Sequence, residues 1–269
     1  MLVNGQPNDC VHAEDRGLSY GDGVFRTLRI RNGLPLNWKR HADKLRRDCS
    51  ALALDCPADT VLLNEIKRVA EQQETAVVKI IVTRGRGQRG YAIPATRECT
   101  RVVDCQPFPQ YPPDFWTAGV SLHVCNIRLG HQPALAGIKH LNRLENVLAA
   151  SECRDAGKPE GLLLDEAGDV IGGTRSNLFM VRDGRLLTPE LGRCGVAGVQ
   201  RERVISWAEK HHIVCTVGPL QLADLQTADE IFLVNSVFGL WSIREFPGYF
   251  CTQHLWSNRI RNALAEEEA

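Results

Sequence analysis

Two α/β domains of unequal length are predicted by three features of the sequence. Apolar residues recur every second position in some stretches and every three to four positions in others, the periods of strands and of amphipathic helices. The two patterns alternate along the chain with no internal repeat and no low-complexity tract. Between the halves stands Pro107-Phe108-Pro109-Gln110-Tyr111-Pro112-Pro113, too dense in proline for a helix or sheet interior. The division expected from this is a smaller α/β domain over 1–108, a Pro-rich linker over 109–114 and a larger α/β domain over 115–269.

In the first half, Val24 to Ile30 alternates like a strand, and Asn32-Gly33 supplies a two-residue turn into Leu34 to Asn37. Trp38, Ala42, Leu45, Cys49 and Leu52 fall three and four apart, the stripe of a helix, and a second helix is expected over Asp59 to Gln73. Ala76 to Thr83 and Cys99 to Cys105 read as buried strands, which gives a mixed sheet with two helices. Beyond the proline stretch come a strand over Val120 to Asn126, a helix from about His140 to Ala156 and a strand over Leu162 to Leu164. A hairpin around Asp183-Gly184 then precedes a helix from about Val199 to His211.

Composition narrows the partners. Lys plus Arg and Asp plus Glu both number 32 among 269 residues, so no basic surplus argues for nucleic acid or an anionic membrane. No stretch is apolar for long enough to span a bilayer, and MLVNGQPNDC has no basic segment followed by an apolar run, so a cytoplasmic protein is expected. The 10 cysteines are scattered without a Cys-x-x-Cys pair and read as reduced, buried small hydrophobes rather than a disulfide framework or a metal site. A small-molecule partner is the remaining expectation, although Walker loops, dinucleotide-binding glycine fingerprints and helical His pairs are all missing.

Four longer segments carry the chemistry: Asp15-Arg16-Gly17-Leu18-Ser19-Tyr20-Gly21-Asp22-Gly23-Val24-Phe25, Arg84-Gly85-Arg86-Gly87-Gln88-Arg89-Gly90-Tyr91, Gly137-Ile138-Lys139-His140-Leu141-Asn142-Arg143-Leu144-Glu145 and Gly172-Gly173-Thr174-Arg175-Ser176-Asn177-Leu178-Phe179. In order and spacing, over nearly the whole chain, they resemble the fold-type IV pyridoxal-phosphate enzymes, the group of D-amino-acid and branched-chain aminotransferases and aminodeoxychorismate lyases. The second and third segments look like the lyase branch. The resemblance implies a two-domain fold-type IV architecture, pyridoxal 5'-phosphate as cofactor, a dicarboxylate substrate and a homodimer.

Lys139 is the candidate for the bond to the cofactor aldehyde, because an amine becomes a Schiff-base nucleophile at neutral pH where burial or nearby cations favour its neutral form. It follows the apolar Leu135-Ala136-Gly137-Ile138 and is expected to open a helix, where an ordinary lysine would be slightly disfavoured by the helix dipole. Gly195-Val196-Ala197-Gly198-Val199-Gln200 runs into a helix whose first amides can bind an anion, although the same sequence also suits an ordinary loop. The resemblance places the cofactor phosphate at Val199 and Gln200, with Ser236 and Thr174 as further cofactor contacts. Lys44 stands where relatives carry a phosphate arginine, and a solvated helix face among Lys39, Arg40, Arg46 and Arg47 explains it equally well.

For the substrate, Arg89, Tyr91, Arg143 and Arg175 are the cation and hydroxyl candidates, against the alternative of a solvated basic loop. Thr27 lies on a strand that such enzymes turn toward the cofactor, and a core threonine is the simpler explanation. The main departure is Gly172, five positions before Asn177, where the family has a glutamate against the cofactor's pyridine nitrogen. Glycine cannot support the electron sink there, so Gly172→Glu is expected to raise turnover unless the backbone requires glycine. The implied reaction is conversion of 4-amino-4-deoxychorismate to 4-aminobenzoate and pyruvate. The alternatives are a D-amino-acid or branched-chain aminotransferase and, given Gly172, a non-catalytic cofactor-binding protein.

Overall fold

The stretch expected to alternate over Val24 to Ile30 forms the strand Gly23–Arg31 in the computed structural model, which describes residues 1–94 and 98–268. The chain divides into one unit of Met1–Pro109 with Ile138–Asn142 and another of Gln110–Gly137 with Arg143–Ala269. It leaves the first unit inside the proline-dense stretch. Lys139, expected in the larger domain, groups with the first unit through the returning segment Ile138–Asn142.

The first unit contains β1 (Leu2–Val3), β2 (Gln6–Pro7), α1 (Arg16–Tyr20), β3 (Gly23–Arg31), β4 (Leu34–Pro35), α2 (Trp38–Ala51), α3 (Asp59–Val69), β5 (Thr75–Thr83) and β6 (Thr100–Pro107). Its sheet runs β2-β1-β6-β5-β3-β4 and is antiparallel at every pairing, not mixed as expected. The turn at Asn32-Gly33 has φ of 50° and 72°, so two left-handed residues close the hairpin as asparagine and glycine permit. Val24, Leu28 and Ile30 of β3 face Leu45 and Cys49 of α2, with Val78 and Ile80 of β5 in the same core. One face of β3 is therefore buried and its other face, with Phe25 and Thr27, is only half covered.

An ionic knot fixes the start of the glycine-rich segment. The Asp22 carboxylate accepts hydrogen bonds from Arg16 Nε at 2.9 Å and Arg84 Nε at 2.8 Å. Arg84 also donates to the carbonyls of Leu52 and Ala53 beyond α2, and Arg16 to those of Gly90 and Tyr91. Burial opposes ionisation of Asp22, but the two arginines outweigh it and hold its carboxyl below the usual carboxylate range.

The second unit contains α4 (Asp114–Thr117), β7 (Val120–Leu129), α5 (Leu144–Asp155), β8 (Glu160–Asp165), β9 (Val170–Gly173), β10 (Asn177–Arg182), β11 (Arg185–Pro189), α6 (Val199–Lys210), β12 (Cys215–Gly218), α7 (Leu222–Gln226), β13 (Glu230–Asn235), β14 (Gly239–Phe246), β15 (Tyr249–Phe250) and α8 (Leu255–Glu266). Its sheet runs β12-β11-β10-β13-β14-β7-β8-β9 with β15 beside β14, and is mixed. One face packs around stacked Phe238 and Trp241. The other packs α6 and α8 against Phe179 and Phe232 through Val204, Trp207 and Leu264.

The expected helix from His140 begins only at Leu144. His140 instead bridges Val24 of β3, so local helix preference yields to pairing with an open strand edge. Among the described residues, no helix is long and apolar enough to cross a membrane.

Because Asp22 ionises more readily in the fold than in the unfolded chain, its contribution is present above the ordinary carboxylate pKa and is lost as pH falls through the lower folded value. Asp22→Asn should cost roughly 3 kcal/mol at neutral pH, the scale for breaking a buried ion pair. Denaturant titrations should show that gap between parent and variant narrowing below about pH 4. A constant gap across that range would refute the assignment.

Candidate active site

Lys139 is held by its main chain. Its carbonyl accepts from Phe25 N at 3.0 Å, and Leu141 N donates to Gly23 O at 3.0 Å, so residues 139–141 lie along the edge of β3 that β4 occupies farther on. The Lys139 amide donates to Asp48 Oδ2 at 3.0 Å, and Asp48, buried on α2, is ion-paired with buried Arg26 of β3. The side chain is half buried, with Nζ 4.4 Å from the centre of the Phe25 ring. The amine thus sits over an aromatic face rather than at the helix start that its sequence suggested.

The other candidates of the first unit separate. Lys44 is only 8% exposed, on the face of α2 that also buries His41 and Asp48, so it is not part of a solvated basic face. Thr27 lies on the half-covered face of β3, two residues from Phe25, and not in the core. Arg89 and Tyr91 are exposed, Tyr91 at 86%. The segment carrying them is nevertheless anchored, because Tyr20 Oη accepts from Gly90 N at 3.0 Å and the Tyr20 and Tyr91 rings lie 5.4 Å apart.

In the second unit, α6 begins at Gly198 with no side-chain cap, which leaves the amides of Val199 and Gln200 available to an anion at the positive end of a 12-residue helix. Asn177 shapes the approach. Its Nδ2 donates to Val196 O at 2.7 Å and its Oδ1 accepts from Gly198 N at 3.0 Å. A Cβ on Gly198 would meet Asn177 Oδ1 at 2.4 Å, so the clamp needs glycine. Ser236 is half buried in the turn between β13 and β14, where Asn235 Oδ1 accepts from the amides of Val237 and Phe238.

Glu160, which the sequence reading passed over, organises the turn after β9. It is fully buried and accepts from Gly161 N at 3.0 Å, Thr174 N at 2.9 Å, Thr174 Oγ1 and Ser176 Oγ at 3.3 Å. Arg175 Nε lies 3.4 Å from the same carboxylate, and its Nη2 donates to Pro159 O at 2.7 Å, so this guanidinium is already committed within its own unit. Thr174 is likewise bound to Glu160, and Asn146 Nδ2 donates to its carbonyl at 2.9 Å. Arg143 precedes α5, half buried, with its pKa pushed down by burial.

Gly172 has φ of 155°, and a Cβ built there would approach Ser176 O to 2.8 Å. The amide of the neighbouring Gly173 donates to that same carbonyl at 2.9 Å. The backbone at 172 thus disfavours a side chain, the condition under which Gly172→Glu is expected to strain the loop rather than raise turnover. Each unit taken by itself holds groups of a kind pyridoxal phosphate needs: in the first, Lys139 carries an amine that can bond an aldehyde, and in the second, the clamped, uncapped start of α6 has amides that can bind a phosphate. The carboxylate that the family sets against the ring nitrogen has no counterpart at 172.

This combination of elements and site residues places the chain in a known class. Residues 23–246 match the family Amino-transferase class IV, and the chain belongs to it. It is 34% identical over 238 residues to an aminodeoxychorismate lyase of Vibrio harveyi, covering 88% of each chain. It is also 34% identical over 246 residues to a provisionally assigned branched-chain-amino-acid aminotransferase of Methanocaldococcus jannaschii, covering 88% of this chain and 83% of that one. Among solved structures, a 4-amino-4-deoxychorismate lyase from Pseudomonas aeruginosa superposes with a TM-score of 0.94 at 42% identity, over 99% of this chain and 98% of that one. The fold is thus the fold-type IV α/β architecture.

Gly172→Glu should lower stability by roughly 1–3 kcal/mol, the cost of a strained backbone position, and reduce activity with it. Thermal melting and steady-state rates of the loaded variant check this. A variant as stable as the parent and faster would restore the electron-sink expectation.

Proposed function

We propose that the protein is a pyridoxal-phosphate-dependent lyase that converts 4-amino-4-deoxychorismate to 4-aminobenzoate and pyruvate. The observation that carries this reading is the 42% identity to the Pseudomonas aeruginosa lyase over essentially the whole of both chains, with a TM-score of 0.94. The cofactor, when bound, supplies an electron sink for the charge left on the substrate when its C4 proton is removed.

This chain's residues supply the rest. Lys139 would hold the cofactor through its aldehyde, and its Nζ, when not so engaged, would remove the substrate's C4 proton. The same amine, or an ordered water, returns a proton to the departing enolpyruvyl oxygen. Loss of that group makes the ring aromatic, and the driving force of aromatisation compensates for a sink that lacks the family glutamate. Val199 and Gln200 bind the phosphate through their amides, with Ser236 and Thr174 beside it and Lys44 supplying charge. Arg89, Tyr91, Arg143 and Thr27 serve the dicarboxylate; Arg175, engaged by Glu160, is the weakest of these assignments. A homodimer in the cytoplasm completes the reading.

The likeness to the Methanocaldococcus jannaschii aminotransferase keeps transamination as the second reading. Purified protein given 4-amino-4-deoxychorismate should release 4-aminobenzoate and pyruvate in equal amounts, and Lys139→Ala should slow this by on the order of 10²–10⁴-fold or more. Amino-acid substrates alone should not sustain turnover with a keto acid. Transamination without 4-aminobenzoate release would reverse the order of the two readings. For phosphate binding, Lys44→Ala should weaken cofactor affinity by roughly 1.5–3 kcal/mol in equilibrium titration. An unchanged affinity would remove Lys44 from the site.

A further inference from the structure

Outside these residues, the second unit brings three metal-ligating side chains together from distant points of the sequence. His131 follows β7, Asp165 ends β8, and Cys194 stands in the loop between β11 and α6. One ligand atom from each lies within 4.8 Å of the other two. His131 Nε2 is 2.7 Å from Asp165 Oδ2, and His131 Nδ1 is 3.2 Å from Glu166 Oε1. The second oxygen of Asp165 accepts from the amides of Ala167 at 3.0 Å and Asp169 at 2.8 Å, which turns the first toward His131.

We propose that His131, Asp165 and Cys194 form a binding site for a divalent cation of the zinc type. One nitrogen, one oxygen and one sulfur donor suit zinc, whereas magnesium and calcium prefer oxygen throughout. A carboxylate already faces the far ring nitrogen of His131, the outer contact that fixes a ligating imidazole. The surroundings favour a cation as well, because the carboxylates of Asp165, Glu145 and Glu166 all act electrostatically on Cys194, against the opposing Arg193. That negative field stabilises an entering metal ion, which takes the position of the His131–Asp165 hydrogen bond while the thiol proton leaves to water. Asp165 is fully buried and Cys194 nearly so, while His131 keeps an exposed edge through which an ion enters and water completes four-coordination.

The position gives the site a purpose in the fold. Gln132 N donates to Arg193 O at 2.8 Å, and Gly137 N to Gly195 O at 3.0 Å, so Cys194 lies within the loop that leads to Gly198 and α6. A cation there would clasp the ends of β7 and β8 to this loop.

The test is a zinc titration of the cofactor-loaded, chelator-stripped full chain against a chromophoric zinc chelator, with thermal melting alongside. One zinc per chain should bind and raise the melting temperature. Cys194→Ser and His131→Asn should each weaken binding by on the order of 10–100-fold or more and lose the thermal gain. Should Cys194→Ser fold poorly, His131→Asn decides alone, since that side chain is partly exposed. Absence of zinc binding to the parent, or binding that His131→Asn leaves unchanged, would overturn the proposal.

Discussion

The hydrogen bond from the Lys139 amide to Asp48 is the contact on which the placement of the candidate lysine depends. A lysine side chain has a long flexible stem, so its amine is placed accurately only where its main chain is fixed. Here the amide is held by Asp48 and the carbonyl by the amide of Phe25. Asp48 is buried and would be costly to keep charged without partners; buried Arg26 and the lysine amide both satisfy it. The pairing with β3 then sets the face on which Nζ emerges, over Phe25 and on the same side of the strand as Thr27.

The second unit solves a different problem with the same economy of parts. An anion needs donors that no protein group has already taken, and a helix start without a side-chain cap provides them. Asn177 keeps that start open by binding the backbone on both sides of Ala197, so the signature asparagine serves the geometry of the loop. Glu160 plays the matching part for the turn at Thr174 to Ser176. Both are polar side chains that hold backbone in place by satisfying its buried amides and carbonyls.

Much of this was legible in the sequence because it follows from local periodicity. The β3 alternation, the Asn32-Gly33 turn, the α2 stripe and the α6 onset all emerge close to where they were expected. The misses have non-local causes. A local window predicts helix over residues 140–143 because the competing edge of β3 lies outside it. The run Ile231-Phe232-Leu233-Val234 is buried on both sides of β13 and carries no period to read. Glu160, after Gly157-Lys158-Pro159, looks like a surface turn residue until the β8–β9 pairing closes over it. One signal was available: His41, Lys44 and Asp48 fall three and four apart along the apolar stripe of α2, and polar residues at that spacing on a buried face mark a built site. In the sequence Gly172 stands out for the carboxylate it lacks, whereas its φ and the approach to Ser176 O show what the backbone gains from glycine.

The account rests on Lys139 as the residue that bonds the cofactor, and borohydride reduction of the loaded protein followed by peptide mapping tests it most directly. The reduced cofactor should be recovered on the peptide that contains Lys139. Recovery on Lys44, Lys79 or any other lysine, with Lys139 unmodified, would contradict it.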